Sequence, residues 1–242
     1  MSIQAIIYDV DGTLAETEDW HRKAFNKAFA ESGLDWTWDV ALYTKLLGVT
    51  GGKERIKYFV SDFLTGWSKP AAFDDFVKSL YALKTRHYGD FVRARRIALR
   101  PGIASLIRRA HSAGIAQAVA TTTAHENVAA LLEAALGSDW ARMFGAVGSG
   151  DIVPHKKPAP DVYLWVLKEL GIAAANCIAL EDSEIGLRAS LAAGITTFVT
   201  LNPYTRGQDF AGAAAVFDDL ADVDAFCRLS GLRLPGVSAD AG

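Results

Sequence analysis

Short apolar runs alternate with stretches of helical period along most of the chain. Residues 3–8, 115–120, 144–147, 177–180, 195–199 and 214–217 read as strands. Between them, Ile103, Leu106, Ile107 and Ala110 keep helix spacing. So do Val128, Leu131, Leu132 and Ala135, and then Val162, Leu164, Trp165 and Leu167. Apolar strands separated by helices predict a parallel sheet covered on both faces. One segment breaks the alternation. From Thr17 to Arg93 three helical faces follow one another with no strand: Trp20, Ala24, Phe25, Ala28 and Phe29; Ile56, Phe59, Val60 and Phe63; Phe73, Phe76, Val77, Leu80 and Leu83. An all-helical block after the first strand of an α/β unit reads as an inserted second domain. The division expected is 1–16 with 94–242 for the α/β core and 17–93 for the insert, with crossings near 15–17 and 95–101. Trp36, Trp38 and Trp67 are expected to pack the insert or to shape a partner surface. The tail after Gly231 is expected to be loosely held.

The chain has 242 residues, half of them apolar, so it can bury a full core without disulfide or metal staples. A net charge of −3 argues against nucleic-acid binding through broad basic surfaces. Two cysteines make no disulfide framework, and Cys177 reads as a core residue. No apolar run is long enough to span a membrane, and the first residues, which lack a basic stretch before the first strand, lead one to expect no secretory leader. The expectation is a cytoplasmic monomer with no membrane partner.

Open parallel sheets bind ligands at the carboxyl ends of their strands. Those ends carry Asp9 and Asp11, then Thr121, then Glu181 and Asp182, while Lys157 stands in a loop before a helix. Clustered carboxylates repel one another, and a hard cation such as Mg²⁺ with oxygen ligands relieves that. A carboxylate can also attack phosphorus. Asp9 and Asp11 are two apart, so an extended chain directs both to one face. One can be the nucleophile, while the other protonates the leaving oxygen and later deprotonates water. Thr122 and Thr123 compete with Thr121, and Lys156 with Lys157. The residue before the proline is favoured, which leaves Lys156 as a solvated charge. His155 reads as a loop residue. His87, His111 and His125 lack metal spacing and read as structural or solvated. Gly48 to Lys53 fails as a phosphate-binding P-loop, since Glu54 stands where Ser or Thr is needed.

Asp9-Val10-Asp11-Gly12-Thr13-Leu14, Thr121, Lys157-Pro158 and Glu181-Asp182 resemble, in order and separation, the four motifs of the haloacid dehalogenase superfamily. The resemblance covers 3–226. It implies a Rossmann-like core with a helical cap, and an aspartyl-phosphate on Asp9 with Asp11 as acid and base. Thr121 and Lys157 would hold the phosphoryl oxygens. Mg²⁺ would be held by Asp9, Asp11 (through its backbone carbonyl) and Asp182, with Glu181 beside them. Within the superfamily the chain is similar to the β-phosphoglucomutase-like branch. Glu16, Thr17 and His21 match its hinge segment, Leu47-Gly48-Val49-Thr50 its cap loop, and Lys84 its cap lysine. Gly51-Gly52-Lys53-Glu54-Arg55 lengthens that loop and looks closest to the CbbY-type phosphatases of xylulose 1,5-bisphosphate, a Rubisco inhibitor. Substrate contacts are then expected from Glu16, Thr17, His21, Gly51, Gly52, Lys53, Arg55, Lys84 and Thr122. A mutase of the same branch, or a phosphatase of another small phosphosugar, is the alternative. A metal-free dehalogenase fits less well, because it needs neither Asp11 nor the Glu181-Asp182 pair.

Overall fold

The structure is a computed structural model and describes residues 2–94, 96–150 and 152–235. Six parallel strands form one sheet in the order β3-β2-β1-β4-β5-β6. They are β1 (Ala5–Tyr8), β2 (Ala116–Ala120), β3 (Ala146–Gly148), β4 (Cys177–Glu181), β5 (Thr196–Thr200) and β6 (Ala215–Phe217). The strand after β3 crosses to the far side of β1, so the order reverses there. That makes the carboxyl end of β1 the crevice where this topology binds ligands.

Alternation along β1 divides its side chains between two cores. Ile6 and Tyr8 face α5 (Ile103–Ser112), α6 (His125–Leu136) and α9 (Val223–Ser230). Ala5 and Ile7 face α7 (Asp161–Leu170) and α8 (Glu184–Ala192). That second face is built largely from Ala5, Ala118, Ala120, Ala146 and Ala179, whose small side chains let α7 and α8 approach the sheet closely. Cys177 is buried there as expected, and burial pushes its thiol up to about 11.

Between β1 and α5 the chain makes α1 (Glu18–Glu31), α2 (Val40–Leu46), α3 (Gly52–Asp62) and α4 (Phe73–Arg93). α2 has no separate signature in the sequence pattern. These helices bury their own core of Phe25, Phe29, Trp36, Trp38, Tyr43, Phe59 and Leu80, with Trp67 partly buried against it. Ala24 of α1 and Tyr88, Phe91 and Val92 of α4 join the sheet-side core instead. The outgoing and returning chains meet at an Ala15–Leu99 bridge. Arg95, in the expected crossing, and Gly236 to Gly242 of the tail lie outside the described residues. No helix among the described residues is long and apolar enough to cross a membrane.

Candidate active site

Asp9 follows the last residue of β1, and its backbone N–H donates to the Leu180 carbonyl at 2.9 Å. The parallel ladder therefore fixes the start of the Asp9–Asp11 segment against β4. Lys157 donates to Asp9 Oδ1 at 2.7 Å and to Glu181 Oε1 at 2.6 Å. The Tyr163 hydroxyl donates to the same Glu181 oxygen. One oxygen of Asp9 is thus held by an ammonium while the other is not. Burial pushes Asp9 up to about 7, with Glu181 and Asp11 adding to the rise and Lys157 opposing it. Burial also raises Asp182 well above the carboxylate range, with Asp9 and Glu181 contributing.

The cause is an excess of negative charge. Asp9, Glu181 and Asp182 are all buried, and their carboxylate oxygens lie within 4.8 Å of one another. Lys157 alone among the described cations enters this cluster. An all-oxygen, over-charged donor set of this kind suits a hard divalent cation. Glu181 is committed to Lys157 and Tyr163, which leaves Asp9 and Asp182 with the more available oxygens. The Ser183 hydroxyl, not Asp182, caps α8 by accepting from the Gly186 N–H, so Asp182 is released to the cavity. Asn202 donates to Asp182 Oδ2. Gly12, at φ +81°, packs against this pair, and a Cβ there would stand 2.3 Å from Asp182 Oδ2. Any side chain there would be strained at this φ and would push Asp182 and Asn202 aside.

Asp11 faces the helical block. Its Oδ1 accepts from the Thr17 hydroxyl at 2.6 Å and pairs with His21 Nε2 at 2.7 Å. Lys84 Nζ lies 2.7 Å from His21 Nδ1, and Tyr88 stacks on the imidazole at 4.1 Å. With Lys84 as donor, Nδ1 accepts and Nε2–H donates to Asp11. Burial alone would raise Asp11, but His21, Thr17 and Lys84 hold it below the usual carboxylate range. Burial, reinforced by Lys84, lowers His21.

One cavity is lined by Asp9, Asp11, Thr121, Thr122, Lys157 and Asp182 from the sheet, and by His21, Gly51, Gly52, Arg55 and Lys84 from the helices. Thr121 Oγ1 accepts from the Thr123 N–H at 3.2 Å, and Thr123 also reaches the cavity. The Arg55 guanidinium donates to the carbonyls of Leu46 and Val49 and to the Tyr43 hydroxyl. Thr17 acts through Asp11.

Glu16 is outside the cavity lining, half exposed, and pairs with Arg100 at 3.1 Å. Glu18 lines the cavity in its place and accepts from the Tyr43 hydroxyl at 2.9 Å. Lys53 lines a second, adjoining cavity of about 230 Å³, together with His125, Ser149 and Lys156. Gly52, Tyr81 and Thr122 belong to both cavities. Lys156 is not the solvated charge expected: it is largely buried and pairs with Glu54 at 3.0 Å. His155 stays in its loop and pairs with Asp161.

The sequence reading did not single out Glu18, Asn202, Thr205 or Gln208, and it placed Thr50 only within the cap loop. The Thr50 hydroxyl donates to the Lys157 carbonyl at 2.7 Å, which ties the loop before α3 to the loop bearing Lys157. Thr205 lines the cavity with its hydroxyl buried and unpartnered.

Lys84 yields a pH test. Burial pushes it down to about 7 and Arg55 adds to this, against the opposing pull of Asp11 and Glu18. The unfolded chain keeps that proton to about 10.5, so charging Lys84 opposes folding in full below about pH 7. The penalty fades as pH rises from about 7 toward 10.5. Lys84→Met should therefore melt higher than wild type at neutral pH, with the gain shrinking steadily by about pH 10. Melting curves across that range check it. A gain that is flat with pH would mean Lys84 is not held at a lowered pKa.

A family model described as haloacid dehalogenase-like hydrolase matches residues 3–194. The plasmid-encoded protein CbbY of Cupriavidus necator is 49% identical over 220 residues, covering 91% of this chain and 87% of that protein. CbbY of Cereibacter sphaeroides is 45% identical over 227 residues, covering 94% and 96%. A crystal structure of a substituted CbbY from Rhodobacter sphaeroides in complex with xylulose-(1,5)bisphosphate superposes with a TM-score of 0.85. It is 45% identical and covers 91% of this chain and 96% of that one.

Proposed function

From the premise that this chain belongs to the haloacid dehalogenase-like hydrolase family, we propose that it is a Mg²⁺-dependent phosphatase of xylulose 1,5-bisphosphate, working through an aspartyl-phosphate on Asp9. The observation that carries this is the single cavity where Asp9, Asp11, Thr121, Lys157 and Asp182 meet cations of the helical block. The likeness to CbbY proteins, one of them crystallised with that bisphosphate, supports the substrate.

The steps follow from the side chains. Lys157 holds Asp9 Oδ1, so Oδ2 is the oxygen that attacks phosphorus. A Lys84–His21–Asp11 chain of 2.7 Å contacts can deliver a proton to Asp11 before attack, and the ester oxygen then leaves with that proton. Asp11, held toward its ionised form, then takes a proton from the water that opens the aspartyl-phosphate. Thr121 and Lys157 hold the phosphoryl oxygens. Mg²⁺, held by Asp9, Asp182 and the Asp11 carbonyl with Glu181 behind them, would offset the negative charge of the cluster and of the phosphoryl group.

The 17–93 block acts in this reading as a cap over the 1–16 and 94–242 core. The second phosphate of a bisphosphate fits the adjoining cavity between the N-termini of α3 and α6, where Lys53, Lys156 and His125 converge. A charge-assisted hydrogen bond contributes about 1.5–3 kcal/mol, so Lys53→Ala should lose roughly one to two orders of magnitude in kcat/KM on the bisphosphate. A small monoester should lose far less. Equal loss on both substrates would remove the second phosphate from this cavity.

A Mg²⁺-dependent phosphate-release screen over sugar mono- and bisphosphates tests the whole reading. Stoichiometric free phosphate, fastest from xylulose 1,5-bisphosphate and silent in EDTA, is expected. Interconversion of sugar phosphates without phosphate release would make the chain a mutase.

A further inference from the structure

The buried Arg100 takes no part in these steps, yet its side chain joins four separate stretches of chain. Nη1 donates to the Gly12 carbonyl and, at 3.1 Å, to the Thr200 hydroxyl. Nη2 donates to the carbonyls of Leu201 and, at 2.7 Å, Asp218. Nε pairs with Glu16 Oε1 at 3.1 Å. The Arg100 backbone N–H donates to the Leu14 carbonyl at 2.8 Å, beside the Ala15–Leu99 bridge where the chain leaves and re-enters the sheet unit. Acceptors spread this widely need the planar fork of a guanidinium; the three donors of a lysine radiate from one atom.

Two of the clamped carbonyls flank the carboxylate cluster. Gly12 follows Asp11 directly. Leu201 precedes Asn202, whose amide donates to Asp182 Oδ2. A Cβ on Gly12 would stand 2.3 Å from Asp182 Oδ2 and 2.5 Å from Asn202 Nδ2, so these segments are pressed together. Arg100 grips both from behind. We propose that Arg100 is a positioning residue: it sets the spacing between the Asp11 backbone and the Asp182 carboxylate, and through that spacing the affinity of the site for its divalent cation. Its pairing with Glu16 anchors the same clamp to the segment that leads into the helical block.

This inference rests on the metal reading of the Asp9–Asp182 cluster, and the test separates the two. Mn²⁺ binding is followed by electron paramagnetic resonance, without substrate, for wild type, Arg100→Lys, Arg100→Ala and Asn202→Ala. Partners that orient ligands from behind are typically worth 10–100-fold in metal affinity, so Arg100→Lys and Arg100→Ala should each bind Mn²⁺ about tenfold more weakly or worse. Asn202→Ala should do the same. Should Arg100→Ala fail to fold, Arg100→Lys decides, and a cooperative melt shows that it is folded. At saturating Mg²⁺, Arg100→Lys should recover most of its kcat, which a general packing defect would not allow. Wild-type Mn²⁺ affinity in folded Arg100→Lys overturns the proposal, whatever its melting temperature. Weakened binding in Asn202→Ala alone overturns it too, because Asp182 is then placed without Arg100. A wild type that binds no Mn²⁺ overturns the metal reading itself and this inference with it.

Discussion

Asp9→Asn should give a folded protein whose turnover falls by roughly 10⁴-fold or more, because an amide cannot attack phosphorus and no neighbour can replace it. Asp11 is bound to Thr17 and His21, and Asp182 to Asn202. Glu181 is held by Lys157 and Tyr163. The substitution is nearly isosteric and removes a buried charge from a cluster that already holds too many, so the melting temperature should stay the same or rise. Acid-quenched wild type should carry label from a substrate with labelled phosphate, and Asp9→Asn should carry none. Steady-state rates, with mass spectrometry to exclude deamidation, provide the second measurement. A variant that retains even one per cent of the rate would be incompatible with covalent attack by Asp9.

Asp11→Asn should slow both halves of the reaction, each by about 10²–10⁴-fold, since proton transfer in each half passes through this carboxylate. Substrate affinity should change little, because its Oδ1 is engaged by Thr17 and His21 rather than turned wholly to the cavity. Rapid-quench experiments resolve the halves: phosphorylation of Asp9 from its burst, and dephosphorylation from the decay of labelled protein. If only phosphorylation slows, Asp11 serves the leaving oxygen alone and another group activates water. The Lys84–His21 chain would then be a structural prop rather than a proton supply.

The positions of Asp9, Asp11, Thr121 and Asp182 were legible because each is a local fact. Apolar strands end abruptly at them, and parallel strands must all present their carboxyl ends to one edge. The pairing of β1 with β2 and β4 then brings those ends together without further instruction. Lys157 was legible from its proline and from family resemblance, but its task of holding Asp9 against Glu181 was not. The all-helical stretch before α5 was legible from its period, except for α2, which is too short to establish one.

Residues whose direction depends on where a helix begins were not legible. Glu16 and Glu18 are two apart and chemically alike. Because α1 starts at Glu18, Glu18 turns into the cavity, while Glu16 stays in the connecting segment before the helix and meets Arg100. Lys53, Arg55 and Lys156 look alike as charges. Packing of the α3 N-terminus against the Lys157 loop places Arg55 in one cavity and Lys53 and Lys156 in the other. Asn202, Thr205 and Arg100 lie on loops with no period, where local sequence says nothing about the partner. The sequence by itself determined which chemistry could occur and at which strand ends, because alternation, strand length and motif spacing act over a few residues. Only the tertiary structure decided which cations face the substrate and what braces the carboxylates, because those choices rest on contacts between segments far apart in sequence, such as Gly12 to Arg100, 88 residues apart, and Asp9 to Lys157, 148 apart.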